Sequence, residues 1–263
     1  MIPHKKRRRL TIRAVLSIIV LFTAARAFMR GNYEHLFLCV LTLLLFCVPM
    51  IIDRTLGIDL PPVLETIIYC FIFSAEILGE INSYYTKIPY WDTMLHTING
   101  FLMAAIGFAL VDIFNRSERF SVKLSPLFLA IVAFCFSMTV GVLWEFFEFA
   151  ADTYLHTDMQ KDWIVHNINS VLFNPDGLNV VEHVHIDSLL VNGEDWIAKY
   201  GGYIDIGLVD TMKDLLVNFI GAVIFSIIGF FYVKSRGKGK FASAFIPRVR
   251  SLWLKDKKDL PKK

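Results

Sequence analysis

Residues 125–151, SPLFLAIVAFCFSMTVGVLWEFFEFAA, carry no charged side chain before Glu145. About twenty helical residues at 1.5 Å rise cover the ~30 Å hydrocarbon core of a bilayer, so this run is long enough to cross it. Five further apolar runs, at about 10–29, 34–52, 62–80, 91–112 and 211–233, are of similar length. Across 263 residues the chain is 55% hydrophobic and 19% charged, which excludes a disordered chain, a collagen-like fibre and a disulfide-stapled mini-domain. Apolar residues gathered into such runs exclude an ordinary soluble domain as well. The fold class predicted is an all-α integral membrane protein, a six-transmembrane-helix bundle.

Short turns join the first spans: Arg30-Gly31-Asn32, then Asp53 to Pro62 with Gly57 and Pro61-Pro62. The basic run His4 to Arg9 before an apolar stretch resembles a signal peptide. The stretch is long for one and Arg13 and Arg26 bracket it, so an uncleaved first span fits better. With the N-terminus inside, all but six of the 27 lysines and arginines fall on the inner side. The six are Arg26, Arg30, Lys87, Lys161, Lys199 and Lys213. This bias predicts both termini in the cytoplasm of a bacterial cytoplasmic membrane. The organisation expected is a basic flank and five spans over 1–151, an extracytoplasmic loop over 152–210, the sixth span over 211–233 and a basic tail over 234–263. That tail mixes basic residues with Phe241, Phe245, Ile246, Leu252, Trp253 and Leu254, as an interfacial helix on anionic lipid or a solvated tail.

The long loop has its own pattern. Val180 to Val191 is rich in β-branched residues, Asn192-Gly193 is a two-residue turn signal and Trp196 to Ile206 follows, which predicts a small β-hairpin. Cys39, Cys47, Cys70 and Cys135 lie in apolar stretches with no CxxC spacing and read as packing residues.

Ionisable residues within the spans concentrate at one end. Span three carries Glu76 and Glu80; span four opens Trp91-Asp92, then His96 and Asn99; span five closes Trp144-Glu145-Phe-Phe-Glu148 and Asp152; span six opens Asp210, Asp214 and Asn218. Each set has the i, i+3, i+4 or i+7 spacing of one helical face. With alternate spans antiparallel, all four sets fall at the outer side, and the inner halves carry little of the kind. The expectation is a polar pocket with Asp92, His96, Glu145, Glu148 and Asp214 as its chemical groups. Glu76, Trp91, Asn99, Trp144 and Asn218 would line it or its rim, while Glu80, Asp152 and Asp210 end helices in water. Carboxylates that outnumber cations need a metal or protons to share a site. Oxygen ligands with one imidazole favour Mg, Mn, Ca or Fe. His156, His166, His183 and His185 in the loop read as hydrogen-bonded histidines, with a metal or proton role as the alternative. GxSxG, P-loop, GxGxxG and HExxH patterns are absent, and the N-terminal basic run reads as topology, not nucleic-acid binding.

The motifs Trp91-Asp92-Thr-Met-Leu-His96, Gly141-Val-Leu-Trp144-Glu145-Phe-Phe-Glu148 and Asp210-Thr-Met-Lys-Asp214 with Asn218 and Gly221 resemble a family of bacterial multi-pass membrane proteins typified by YjdF. The Asp-xxx-His opening is also similar to VanZ-like proteins. The resemblance covers the last four spans and implies that Asp92, His96, Glu145, Glu148 and Asp214 form one site; it supplies no reaction. Three functions follow from the residues: a metal-dependent membrane enzyme acting on a lipid-linked or envelope substrate, a proton- or ion-coupled transporter, and a membrane scaffold. Membrane lipid is the partner common to all three.

The topology is checked by cysteine accessibility in a background lacking the native cysteines. Leu190→Cys should react with a membrane-impermeant maleimide in intact cells, and Glu118→Cys only after lysis. The opposite pattern would move the carboxylates to the cytoplasmic side.

Overall fold

A computed structural model describes residues 4–56, 58–115, 124–235, 242–246 and 248–249. Six helical stretches are long and apolar enough to cross a membrane: Thr11–Met29, Tyr33–Thr55, Pro62–Ile81, Trp91–Asp112, Pro126–Leu155 and Leu208–Lys234. Large apolar side chains on them remain exposed, Phe22, Phe37, Leu44, Phe146 and Phe231 among them. In water that surface would drive aggregation; in a bilayer it faces acyl chains at no cost. The protein is a multi-pass α-helical membrane protein.

Two compact units divide the chain, residues 1–141 with 215–263, and residues 142–214. In the first, α1 (His4–Met29) precedes the turn at Gly31, and Asn32 caps α2 (Tyr33–Leu45) by accepting from the His35 N–H at 2.9 Å. The second span is broken into α2 and α3 (Val48–Leu56). Pro49 has no N–H to give the carbonyl four residues back, and the ladder lapses at Phe46-Cys47. Pro61 and Pro62 open α4 (Pro62–Phe73), which continues as a π-helical turn, Ser74–Ile81. The short α5 (Tyr84–Lys87) leads to α6 (Trp91–Asn115).

α7 (Pro126–Leu155) and α9 (Leu208–Lys234) contribute their first and last parts respectively to this unit. Its core joins Phe108 and Leu102 of α6, Leu129 and Ala133 of α7, Phe225 and Ala222 of α9, and Leu64 of α4. A second cluster packs Val20, Cys39, Phe46, Tyr69, Ile72 and Ile77. All four cysteines are free, as their apolar settings predict.

Glycine sets how closely α6 and α9 approach. A Cβ on Gly221 would overlap the Thr97 carbonyl oxygen, and one on Gly100 would overlap that of Asn218. Small residues bring helices into such contact in lipid, where dispersion rather than the hydrophobic effect holds them together.

Part of the C-terminal tail is neither interfacial helix nor solvated chain. Ile246 is buried in the core, Phe245 meets Phe101 edge-on at 5.4 Å, and β8 (Arg248–Val249) pairs antiparallel with β1 (Ile58–Asp59). Leu252, Trp253 and Leu254, like the loop arginines 116 and 119, lie outside the described residues. The helix ends opposite the acidic one also hold more polarity than the sequence pattern suggests. Asp112 is buried, and Tyr69 Oη donates to Glu65 Oε1 at 3.0 Å.

The second unit holds the strand pairs. The Asn192-Gly193 turn forms as expected, both residues at positive φ, joining β5 (Leu190–Val191) to β6 (Glu194–Asp195). The rest of the hairpin differs. The segment after it begins as helix α8 (Trp196–Tyr200), because Asp195 accepts from the Ile197 and Ala198 N–H groups and Gly201 takes the left-handed position at its end. Glu182–His185 (β4) pairs instead with Asn167–Ser170 (β3), and Tyr203–Ile204 (β7) with Ile164–Val165 (β2).

Gly221→Ala should lower the thermal midpoint of the detergent-solubilised protein clearly, since overpacking costs about 1–3 kcal/mol. Gly229→Ala, whose Cβ would meet side chains and not backbone, the Phe108 ring at 3.0 Å and Phe225 at 3.7 Å, should lower it less. Equal midpoints would mean that the α6–α9 approach is not set by Gly221.

Candidate functional site: buried carboxylates and a histidine at the helix ends

In the first unit the polar residues of α6 begin at the mouth of the helix. Trp91 Nε1 donates to the Ser74 carbonyl at 3.3 Å, and its ring meets Tyr84 edge-on at 4.9 Å. One turn on, His96 Nε2 lies 3.6 Å from Asp92 Oδ1. His96 is buried, whereas Asp92 is half-buried. A further turn on, Asn99 Nδ2 donates to Asn218 Oδ1 at 3.4 Å.

Asn218 is the most enclosed of these side chains, 1% exposed. Its Nδ2 lies 3.4 Å from the Ser137 carbonyl and 3.6 Å from Met138 Sδ, against the open face of Gly141. Ser137 Oγ in turn donates to the Gly100 carbonyl at 2.8 Å. Polar contacts thus tie α6, α7 and α9 together at one level, in a medium where unmet polar groups are costly. Glu76 is half-buried on the π-helical turn, with Glu80 as its charged neighbour.

In the second unit Trp144 Nε1 donates to Glu148 Oε1 at 2.8 Å, fixing that carboxylate one turn along α7. Glu145, Glu148 and Asp214 are all buried. Gln160, from the loop, donates to Thr211 Oγ1 at 2.6 Å and lies 3.5 Å from Glu145 Oε2. Gly207, at φ +86°, leaves room for the Gln160 side chain.

The other acidic residues fasten the loop. Asp152 accepts from the N–H groups of Met159 and Gln160 and from Thr157 Oγ1. Asp210 accepts from the Lys161 N–H at 2.7 Å and lies 3.4 Å from Trp163 Nε1. Asp205 spans the Trp163 N–H at 2.6 Å and the Val209 N–H at 3.0 Å. Lys213 Nζ sits over the Trp163 ring, 2.7 Å from its centroid. Asp152 and Asp210 therefore act as backbone anchors and not as free helix ends. Burial, reinforced by Asp158, Asp205 and Asp152, pushes the nearby Asp162 carboxyl above the usual range, against the pull of Lys161.

Each unit thus brings together some of the residues singled out by spacing: Asp92 with His96 and Asn99 with Asn218 in one, Trp144 with Glu148 in the other. Gln160, Thr211 and Asp205 were missed. Helical periodicity cannot find a loop glutamine, and the signals that marked the loop as structured, Val180 to Val191 and Asn192-Gly193, lie further along the chain.

Six apolar helices with buried carboxylates, a histidine and asparagines define a polytopic α-helical membrane protein with an ionisable interior. The chain belongs to the family of predicted membrane proteins DUF2238, whose family model matches residues 10–235. It is also similar to an uncharacterized protein of Thermotoga maritima, 27% identical over 107 residues, which are 41% of this chain and 53% of the relative. The chain therefore spans about half the length of that curated relative. No solved structure matches it.

Asp205→Ala should release two backbone N–H groups, at about 1–3 kcal/mol for each buried group left unmet. Hydrogen exchange should then quicken at Trp163 and Val209 while the α6 core stays protected. Unchanged exchange at those amides would remove Asp205 as the fastening of the loop.

Proposed function

We propose that Asp92, His96, Glu145, Glu148 and Asp214 hold a divalent cation, Mg, Mn, Ca or Fe. On this reading the protein is a metal-dependent enzyme acting on a lipid-linked or envelope substrate from the outer side of the bacterial cytoplasmic membrane. The carrying observation is that His96, Glu145, Glu148 and Asp214 are each more than nine-tenths buried within membrane-spanning helices. Ionised groups kept out of water cost several kcal/mol unless paired, protonated or metal-bound, and such residues in a span are functional by default.

Helix arithmetic supports treating them as one set. Asn99, Gly100, Gly141 and Asn218 meet at one level in the first unit. One turn from that level, each of three helices carries an ionisable residue: His96 on α6, Glu145 on α7 and Asp214 on α9. The oxygen-rich donor set with one imidazole fits a hard divalent ion. Such an ion polarises a substrate oxygen and lowers the pKa of bound water.

The chain's own residues supply the rest. Asp92, beside Nε2 of His96, favours a proton there and leaves Nδ1 as the nitrogen with a lone pair, able to ligate or to accept a proton. Gln160 and Trp144 orient Glu145 and Glu148. Trp91 opens α6, and it and Trp144 would stand at the rim of the pocket, where indoles favour the headgroup layer. Cytoplasmic termini, an extracytoplasmic loop and the narrower YjdF-like grouping belong to the same proposal.

An ion-coupled carrier is the second reading, favoured by buried Asp112 and the Glu65–Tyr69 pair at the opposite helix ends. Elemental analysis of the detergent-purified protein separates the readings. The enzyme reading expects about one tightly held divalent ion per chain, lost in Asp92→Asn/His96→Ala with the fold intact. No such ion in either protein overturns it in favour of protonated carboxylates. A variant that loses only stability makes the cluster a scaffold.

A further inference from the structure

The strand pair β3–β4 in the second unit has two chemically opposite faces. Asn167 stands opposite His185, and Asn169 opposite His183. Side chains alternate along a strand, so these four share one face, while the paired Ile168 and Val184 share the other. The polar face is met within itself: His183 Nδ1 meets Asn169 Oδ1, and His185 Nδ1 meets Asn167 Oδ1 at 2.9 Å. Asp187 follows on that side, a carboxylate oxygen 3.8 Å from His185 Nε2. The apolar face is left open, with Val184 exposed and Ile168 only partly buried. Two strands alone are marginal in water and need a hydrophobic surface to pack on.

The turn between the strands is apolar as well. Val171, Leu172, Phe173, Leu178, Val180 and Val181 are all exposed, Leu172 to 88%. Its polar groups are nonetheless engaged with one another. Ser170 Oγ accepts from the Leu172 N–H at 3.1 Å, and Asn174 Oδ1 from those of Asp176 and Leu178 at 3.2 and 2.9 Å. Asn174 Nδ2 donates to Glu182 Oε1 at 3.0 Å. A turn that meets its own polar groups can enter an apolar phase cheaply, since unmet groups are what such a phase penalises.

The bilayer is the apolar phase within reach. The base of the ribbon is tied to the start of α9, where Asp210 accepts from the Lys161 N–H and Asp205 from that of Trp163. Leu172 lies nine residues beyond Trp163, which extended chain covers in at most about 30 Å. Residues 162–198 carry carboxylates but no lysine or arginine. That charge repels anionic headgroups and a second copy of the same ribbon alike, and leaves hydrophobic insertion as the attraction.

We propose that the β3–β4 ribbon lies on the membrane surface at the end where the fifth and sixth spans are joined. Leu172, Phe173 and Val180 enter the boundary between headgroups and acyl chains, Ile168 and Val184 face lipid, and the histidine–asparagine face stays in water. The ribbon needs neither a bound metal nor a particular side of the membrane.

A solvent-sensitive NBD fluorophore on single cysteines tests this in the full chain lacking its native cysteines. The chain is reconstituted in phosphatidylcholine vesicles with doxyl-labelled phosphatidylcholine in both leaflets. The reporter at Leu172→Cys should emit to the blue and lose intensity to the doxyl lipid. At Asp187→Cys, on the polar face, it should emit as in water and be quenched by iodide instead. High salt and dilution of the protein with excess lipid should change neither result. A reporter at Val184→Cys should pass from lipid to water when Leu172→Asp/Phe173→Asp is added. Iodide quenching at Leu172→Cys equal to that at Asp187→Cys overturns the proposal. Blue emission without doxyl quenching, or fading on dilution, assigns the tip to a protein surface, the chain's own or a second copy's, and equally overturns it. A Val184→Cys reporter that stays in lipid in the double variant removes the tip as the anchor.

Discussion

Two helices of the first unit, α6 and α9, approach to backbone contact because glycine faces them, and the Asn218 carboxamide links that junction to α7. Gly100 and Gly221 remove the side chains that would hold α6 and α9 apart, and Gly141 opens α7 to the amide. Without a hydrophobic force between helices in lipid, this closeness and its polar contacts are what hold the bundle. The Ser137 hydroxyl and the Asn99 amide complete the same level.

Glu145, Glu148 and Asp214 are buried within membrane-spanning helices. Their charge must then be met locally, by hydrogen bonds such as those from Gln160 and Trp144, by protons or by a cation. The loop over 156–210 is ordered by the same economy of polar groups. Asp152, Asp205 and Asp210 each take up backbone N–H groups that a looser segment would leave to solvent.

The six spans were legible because lipid imposes a length and a composition on any segment that crosses it, and Pro126 to Leu143 satisfies both without a charge. Asp92 with His96, and Trp144 with Glu148, were legible because i, i+4 spacing on a helix is geometry. The strand pairing of the loop was not. Val180 to Val191 reads as one strand by propensity, yet Asp195 and Gly201 cap a helix where its partner was expected, and β4 pairs backward in sequence with β3. Local capping outweighed a pattern of β-branched residues. Gln160 was invisible for a related reason: its importance lies in contacts 15 and 51 residues away, which no periodicity encodes.

The pairing of Ile58-Asp59 with Arg248-Val249, and the seating of Ile246 beside Leu60 and Leu64, bear on the order of assembly. A ribosome delivers the connection between the second and third spans long before it delivers its partner strand. The first half of the bundle must therefore wait, inserted but unlatched, until the sixth span has crossed and the segment behind it returns. Closing so long a loop is entropically slow, and during that interval the connection is open to insertase, chaperone or protease. Closure of the bundle is thereby tied to synthesis of the segment behind the sixth span, and a chain that stalls before that segment stays unlatched.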